Sequence, residues 1–269
     1  MRIDFRKMHG LGNDFIVLDD RDGRLPDIDE RTIRRLSDRR SGIGCDQFIL
    51  LEAHETADAL MRIFNADGSE VEACGNAARA IGLLLGERAT LATKGGTITT
   101  TPAGDDIAVD MGVPRFGWEA IPLAYAMDTL EMPVGWHELE RPSAVNVGNP
   151  HVVFFVDADT RVGLGSLGPE IEEDPLFPEK INVNVARVRD RRTIDLAVWE
   201  RGAGLTRACG TGACATAVCA MRRGLTERVV TVRLPGGPLQ IAWGEDDRIT
   251  MTGPATEAFR GTFGLSDYA

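Results

Sequence analysis

Two cysteines stand in near-identical settings, Cys74 in ACGNA (73–77) and Cys209 in ACGTG (208–212). They lie 135 positions apart, too far for a local metal knuckle. Each is followed by glycine and then a polar residue, Asn76 or Thr211, and each opens an apolar run that reads as a helix. A cysteine at a helix N-terminus meets free backbone N–H groups and the positive end of the macrodipole, and both favour thiolate over thiol. The same N–H groups suit a bound carboxylate, and Gly75 and Gly210 let a ligand approach the main chain closely. Two such thiols on opposite walls of a cleft could invert a carbon bearing hydrogen. One removes the proton, the other returns one from the opposite face, and the roles exchange when the reaction runs backward. Helix N-termini around a substrate carboxylate would stabilise the charge that develops at that carbon.

The elements that hold these cysteines recur. Shifted by 135 positions, Asn65 falls on Glu200, each nine residues before its cysteine, and Gln47 falls on Asn182. At 136, GNDFIV (12–17) falls on GNPHVV (148–153), pairing Asn13 with Asn149. Downstream, Gly95-Gly96 corresponds to Gly236-Gly237 and Gly112 to Gly253, both after a six-residue insertion in the second half. This ordered series predicts two copies of one folding unit. In each copy, strand-like runs such as DALMRIF and TIDLAVW lead through a polar turn into the cysteine helix, and strands joined across the Gly-Gly turns follow. The helices NAARAIGLLLG and GACATAVCAMRRG are apolar nearly all round, which marks helices enclosed by protein. The pattern predicts an α/β protein of the α+β type, with two pseudo-symmetric domains, each a curved sheet wrapped round a central helix. We set the domains at 1–117 and 118–255, with the tail 256–269 packing back on the first.

The remaining candidates gain meaning from the repeat. Asn13, Gln47, Asn65, Asn149 and Asn182 could each be an ordinary turn or strand-end amide. As equivalent positions in two copies they read as polar walls of one cleft. Glu200-Arg201 could be a surface ion pair, but beside the second motif it reads as a clamp for a zwitterionic group, and His151 either tunes a neighbouring thiol or caps a turn. Cys214 and Cys219 read as core packing and Cys45, in SGIGCDQ, as a small loop filler. GLGSLG (163–168) matches a phosphate-cradling pattern, but Pro169 follows at once and EIEEDPLFPEK shows no dinucleotide-fold helix, so that reading fails on context.

Composition excludes other classes. The 269-residue chain carries a formal net charge of −11, which argues against a nucleic-acid partner. Only Lys7, Lys94 and Lys180 could form a Schiff base, and Lys94 reads as the edge of a hairpin turn. Five cysteines without a CxxC pair argue against a disulfide framework or a zinc knuckle, and four histidines show no metal spacing. No apolar run is long enough to span a bilayer, and MRIDFRKMHG is no signal peptide, so the expected location is cytoplasmic.

MHGLGNDF, NADGSEVEACGNAAR, GNPH, WERGAGLTRACGTGACA and LPGGPLQIAW together closely resemble the diaminopimelate epimerase family, from residue 8 to about residue 255. The resemblance implies two similar α/β domains, each a β-barrel around a central helix with the site in the cleft, and a homodimer. It implies interconversion of LL- and meso-2,6-diaminopimelate without metal or organic cofactor, on the route to lysine and cell-wall peptide. By motif, Cys74 and Cys209 become the acid/base pair. Gly75-Asn76 and Gly210-Thr211, with Asn13 and Gln47 nearby, would hold the reacting end, and Asn65, Asn149, Asn182 and Glu200-Arg201 would read the distal amino acid. His151 and Glu200 sit where the family tunes its thiols. Leu205, Arg207 and Cys45 depart from the pattern without touching these roles. Two rivals remain: a cofactor-independent racemase of shifted specificity, and a non-catalytic amino-acid-binding protein on the same scaffold.

Overall fold

A computed structural model describes residues 1–71 and 74–268, and the chain separates into two units, Met1–Val109 with the segment from Gly253 onward, and Asp110–Thr252. The first unit runs β1 (Arg2–Gly10), β2 (Asn13–Asp20), α1 (Glu30–Ser37), β3 (Gln47–Glu52), β4 (Ala59–Asn65), β5 (Glu70–Val71), α2 (Gly75–Leu85), β6 (Ala89–Thr93), β7 (Gly96–Ala103) and β8 (Asp106–Asp110). The second opens with a short hairpin, β9 (Gly135–Trp136) and β10 (Leu139–Glu140). It continues β11 (Ser143–Asn146), β12 (Pro150–Phe155), α3 (Leu164–Glu172), β13 (Asn182–Asp190), β14 (Thr193–Glu200), β15 (Gly204–Thr206), α4 (Gly210–Arg222), β16 (Val229–Leu234), β17 (Gly237–Trp243) and β18 (Ile249–Gly253). The chain then returns to the first unit as β19 (Thr256–Gly264), antiparallel to β1.

The repeat is structural. In the first unit the ladders run β19-β1-β2-β3-β4-β6-β7-β8, with β5 on β4. In the second they run β11-β12-β13-β14-β16-β17-β18, with β15 on β14. With β19 set aside, the two orders match strand for strand. The parallel pairs match too: β2 with β3 and β4 with β6, then β12 with β13 and β14 with β16. Parallel neighbours need a crossover, and each of these crossovers carries one α-helix: α1, α2, α3 and α4 in turn. Gln47 and Asn182 open equivalent strands, Asn65 and Glu200 close equivalent strands, and Cys74 and Cys209 are the N-caps of α2 and α4. The six-residue insertion is distributed: two residues lengthen the helix, three the connection and one the strand. Each Gly-Gly pair closes a two-residue hairpin loop, Lys94-Gly95 or Pro235-Gly236, with Gly96 (φ +119°) and Gly237 (φ +142°) opening the strand that follows.

Two expectations need correction. The implied barrels are not closed: among the described residues no ladder within either unit joins the first and last strands of its order. The sheets instead fold about their helices, α2 touching β1, β6, β7 and β19, and α4 touching β11 to β14, β16 and β17. Side-chain packing on the helix, rather than a last ladder, holds the strands round it. The second correction concerns GLGSLG, which is helical, since α3 spans Leu164–Glu172 with Pro169 inside it. Leu164, Leu167 and Ile171 are buried in the second unit's core, and that packing overrides the local signal against a helix. Gly168 serves close contact, not phosphate: a Cβ there would meet the Trp199 ring at 2.4 Å.

Gly82, buried midway along α2, shows a similar constraint. A Cβ there would lie 2.8 Å from Ile107 Cγ2 and 2.9 Å from Thr100 Cβ. Helix propensity favours alanine by about 1 kcal/mol, but overpacking against branched strand side chains costs about 1–3 kcal/mol. Gly82→Ala is therefore expected to lower the unfolding free energy by about 1 kcal/mol, read from the urea midpoint, where an exposed helical glycine would gain stability.

Candidate active site

In the first unit, Cys74 has extended backbone (φ −147°, ψ 112°), and its Sγ accepts the N–H of Ala77 at 3.5 Å. Asn13, at the start of β2, turns its Oδ1 toward this cap, 3.9 Å from Cys74 Sγ and 3.1 Å from Asn76 Nδ2. Both amides are oriented by charges. Arg79 donates to Asn76 Oδ1 at 2.8 Å, leaving the Asn76 NH2 to face Asn13. Asp46 accepts from Asn13 Nδ2 at 3.1 Å, leaving the Asn13 oxygen to face the thiol. Asp46 is held by Arg39, which also bonds Asp14, and Asp14 pairs with Lys7. Burial alone would raise the Asp14 pKa, but the hydrogen bonds from Arg39 and Lys7 outweigh it and hold it at about 2. Arg79 is fully buried beside Gly10, where a Cβ would lie 3.0 Å from its guanidinium, and it also donates to Pro254 O. On β3, Gln47 Nε2 lies 3.5 Å from Asn65 Oδ1, while Gln47 Oε1 is buried without a partner. A buried acceptor left unpaired is costly and marks a place where a ligand could donate.

In the second unit, Cys209 Sγ accepts the N–H of Gly212 at 3.3 Å and lies 3.5 Å from Thr211 Oγ1. Cys209 is 3 % exposed. Burial pushes its thiol well above the usual range, and the Glu200 carboxylate pushes it further, against the opposing pull of Thr211 and the Gly212 N–H. The thiolate that the helix terminus favours is thus outweighed here in the resting protein, because desolvation and a like charge act together. The Glu200 carboxyl is itself raised by burial, while hydrogen bonds from Thr206 and Cys209 oppose that rise. Glu200 therefore lies against the cysteine and not against Arg201, whose guanidinium donates to Glu179 O at 2.9 Å. Asn182 is buried and commits its amide to backbone, donating to Pro150 O and accepting from Arg201 N. His151 is fully buried between two asparagines, with Nε2 2.9 Å from Asn149 Oδ1 and Nδ1 3.0 Å from Asn184 Nδ2. Asn184 also donates to Val152 O, so Nδ1 accepts and Nε2–H donates, which fixes the Asn149 amide. Among the described residues no group of three or more His, Cys, Asp or Glu side chains could hold a metal ion.

Sequence comparison of the two copies missed Arg79, Asp46, Asn184, Thr206 and Gly212. Gly212 allows a close approach: a Cβ would lie 2.8 Å from Asn184 Oδ1 and 3.2 Å from Cys209 Sγ. None of the five repeats; the position matching Arg79 is Cys214 and that matching Asn184 is Ile49.

Burial lowers the His151 pKa from 6.5 to about 3, with the Asn184 bond opposing and Arg201 adding to the shift. The unfolded imidazole takes up its proton below 6.5 and the folded one only near 3, so the unfolded state binds more protons between. His151 then contributes stability that is present above pH 6.5 and lost as pH falls toward 3. Between these limits wild type is expected to lose about 1.4 kcal/mol per pH unit more than His151→Gln, as measured by urea unfolding across pH.

The family model described as diaminopimelate epimerase matches residues 5–117 and 143–257. A diaminopimelate epimerase of Erythrobacter litoralis is 66 % identical over 269 residues, covering all of both chains. One from Rhizorhabdus wittichii is 59 % identical over 268 residues, covering 100 % of this chain and 98 % of its own. Among solved structures, a PhzF-family phenazine biosynthesis protein of Bacillus anthracis matches with TM-score 0.70 at 15 % identity, over 98 % of this chain and 99 % of that one. A probable proline racemase of Agrobacterium radiobacter matches with TM-score 0.69 at 16 % identity, over 98 % and 93 %. The last two establish the fold, and with the sequence matches over the whole length the chain belongs to the diaminopimelate epimerase family.

Proposed function

We propose that this protein interconverts LL- and meso-2,6-diaminopimelate by proton transfer at one α-carbon, with Cys74 and Cys209 as the two acid/base residues and no cofactor. The observation that carries the reading is the occurrence of a cysteine N-cap at equivalent positions of the two copies, in a chain of this family. One thiolate removes the α-proton and the other thiol delivers its own proton to the opposite face, so each turnover leaves the two sulfurs with exchanged protonation states. The backbone N–H groups of Gly75-Asn76 and Gly210-Thr211 suit the α-carboxylate, where negative charge grows as the carbanion forms. Asn13 holds an acceptor toward Cys74, and Gln47 has an unfilled one for the substrate ammonium. Glu200 supports a role in moving the Cys209 proton, because its raised carboxyl and the raised thiol are close partners. Asn65, Asn149, Asn182 and Arg201 are assigned to the distal amino-acid end, with His151 holding Asn149. The family reading also carries a homodimer and a cytoplasmic location; no helix among the described residues is long and apolar enough to cross a membrane.

Cys74→Ala and Cys209→Ala are each expected to lower kcat by about 10³-fold or more with the fold intact, as checked by circular dichroism and stereoisomer analysis. Full activity in either variant would sink the two-thiol assignment. Run in deuterated water from a single stereoisomer, early product should carry solvent deuterium while recovered substrate carries little. Product that keeps the original hydrogen would point to one base. Turnover of a different amino acid in preference to diaminopimelate would instead indicate a racemase of shifted specificity.

A further inference from the structure

Glu172 closes α3 with a carboxylate whose side chain is 7 % exposed. That position is unfavourable on two grounds, the negative end of the helix dipole and the cost of burying charge. It is offset by two hydrogen bonds, Trp199 Nε1 donating to Oε2 at 2.7 Å and Gly202 N donating to Oε1 at 3.0 Å, and by the Lys180 ammonium 4.0 Å from Oε1. Gly168, four residues earlier on the same helix face, lets α3 seat directly on the Trp199 indole. Glu172 thereby reaches past the ring to the turn Glu200–Ala203. This turn is closed by Ala203 N on Glu200 O at 3.0 Å, with Gly202 at φ +75°. The N–H of Arg201 goes to Asn182 Oδ1, so both residues at the tip are pinned through their backbone.

The first unit has the same device built from different residues. Its turn after β4 is closed by Gly68 N on Asn65 O at 2.9 Å, with Gly68 at φ +90°. There α1 holds the turn: Arg34 Nε donates to Asp67 O at 3.1 Å, and a Cβ on Gly68 would lie 2.7 Å from Glu30 O. In each copy, then, the first helix ties down the turn that follows the fourth strand, next to Asn65 or Glu200.

We infer that Glu172 is a positioning residue for substrate selection, holding the Glu200–Ala203 turn so that Arg201 is presented to the distal end of the substrate. The inference rests on the assignment of Arg201 to that end. Glu172→Gln replaces one acceptor oxygen by an NH2 group, so Trp199 and Gly202 cannot both be satisfied. The expected result is a rise in KM for diaminopimelate of about tenfold, with kcat within about threefold of wild type. Faster exchange of the Gly202 amide, followed by NMR, accompanies it. Trp199→Phe removes the competing donor, so the double variant should return to within about threefold of the KM of Trp199→Phe alone. Glu172→Asp, which keeps the charge but is one methylene short of both donors, should raise KM as well. An unchanged KM in either folded Glu172 variant, beside a raised KM in Arg201→Met, overturns the inference and leaves the recognition reading standing. An unchanged KM in Arg201→Met removes the recognition reading, and the inference with it.

Discussion

A helix enclosed by its own sheet cannot leave its first N–H groups to water, and that constraint organises this protein. α2 and α4 are buried at their first residue and through most of their length, so the unpaired donors of their first turns must be met by protein or ligand. In both helices a cysteine sulfur takes one of them. Sulfur is a weak acceptor as a thiol and a far better one as a thiolate. The cap is therefore underfilled in the neutral state and better filled in the ionised one, which ties helix capping to thiol reactivity. The N–H groups beside it suit a carboxylate for the same reason. In the proposed reaction, one requirement of burial would thus supply an acid/base sulfur, a partial offset to the cost of ionising it and an adjoining anion site.

The two copies solve this constraint with different surroundings. Cys74 is half-buried and faces an amide oxygen whose direction is set from both sides, by Arg79 through Asn76 and by Asp46 through Asn13. Cys209 is buried and faces a carboxylate. At the third residue of the helix the first copy has Ala77 and the second has Gly212, where a methyl group would collide with Asn184 and the cysteine itself. The proposed two-thiol reaction asks for no symmetry here, since it would use each sulfur on a different face of the α-carbon.

Much of this was legible in the sequence because the two copies share it. The cysteine caps, the strand-end amides and the Gly-Gly hairpins are repeated, and self-comparison detects repeated residues. It cannot detect what each copy added alone. Arg79 reads as a polar interruption of an apolar helix; its burial depends on Gly10 and Pro254, which are distant in sequence. Asn184 sits in a strand of buried residues, and its partner His151 is 33 positions away. Helix α3 was hidden by Pro169 and by glycines that local propensity counts against a helix, whereas Trp199, supplied by another strand, makes one of those glycines necessary. The missing information was tertiary in each case.

The nine-residue spacing from Glu200 to Cys209 has a physical reason that the sequence leaves implicit. β14 ends at Glu200, the tied turn reverses the chain, and β15 runs back antiparallel, pairing Thr206 with Val198. The hairpin thus carries the chain back from the strand end to the level of Val198, from where Ala208 leads into the Cys209 cap. Thr206 Oγ1 reaches Glu200 across the hairpin, and the Glu200 carboxylate reaches Cys209. Arg201 and Cys209 therefore ride on one short ladder, Arg201 at its tip and the sulfur at its base. A turn held by α3 and a helix cap held by its own N–H groups keep those two ends at a set separation. In a substrate with an amino-acid group at each end, that separation would decide which molecules present an α-carbon to the sulfur when their far end is bound.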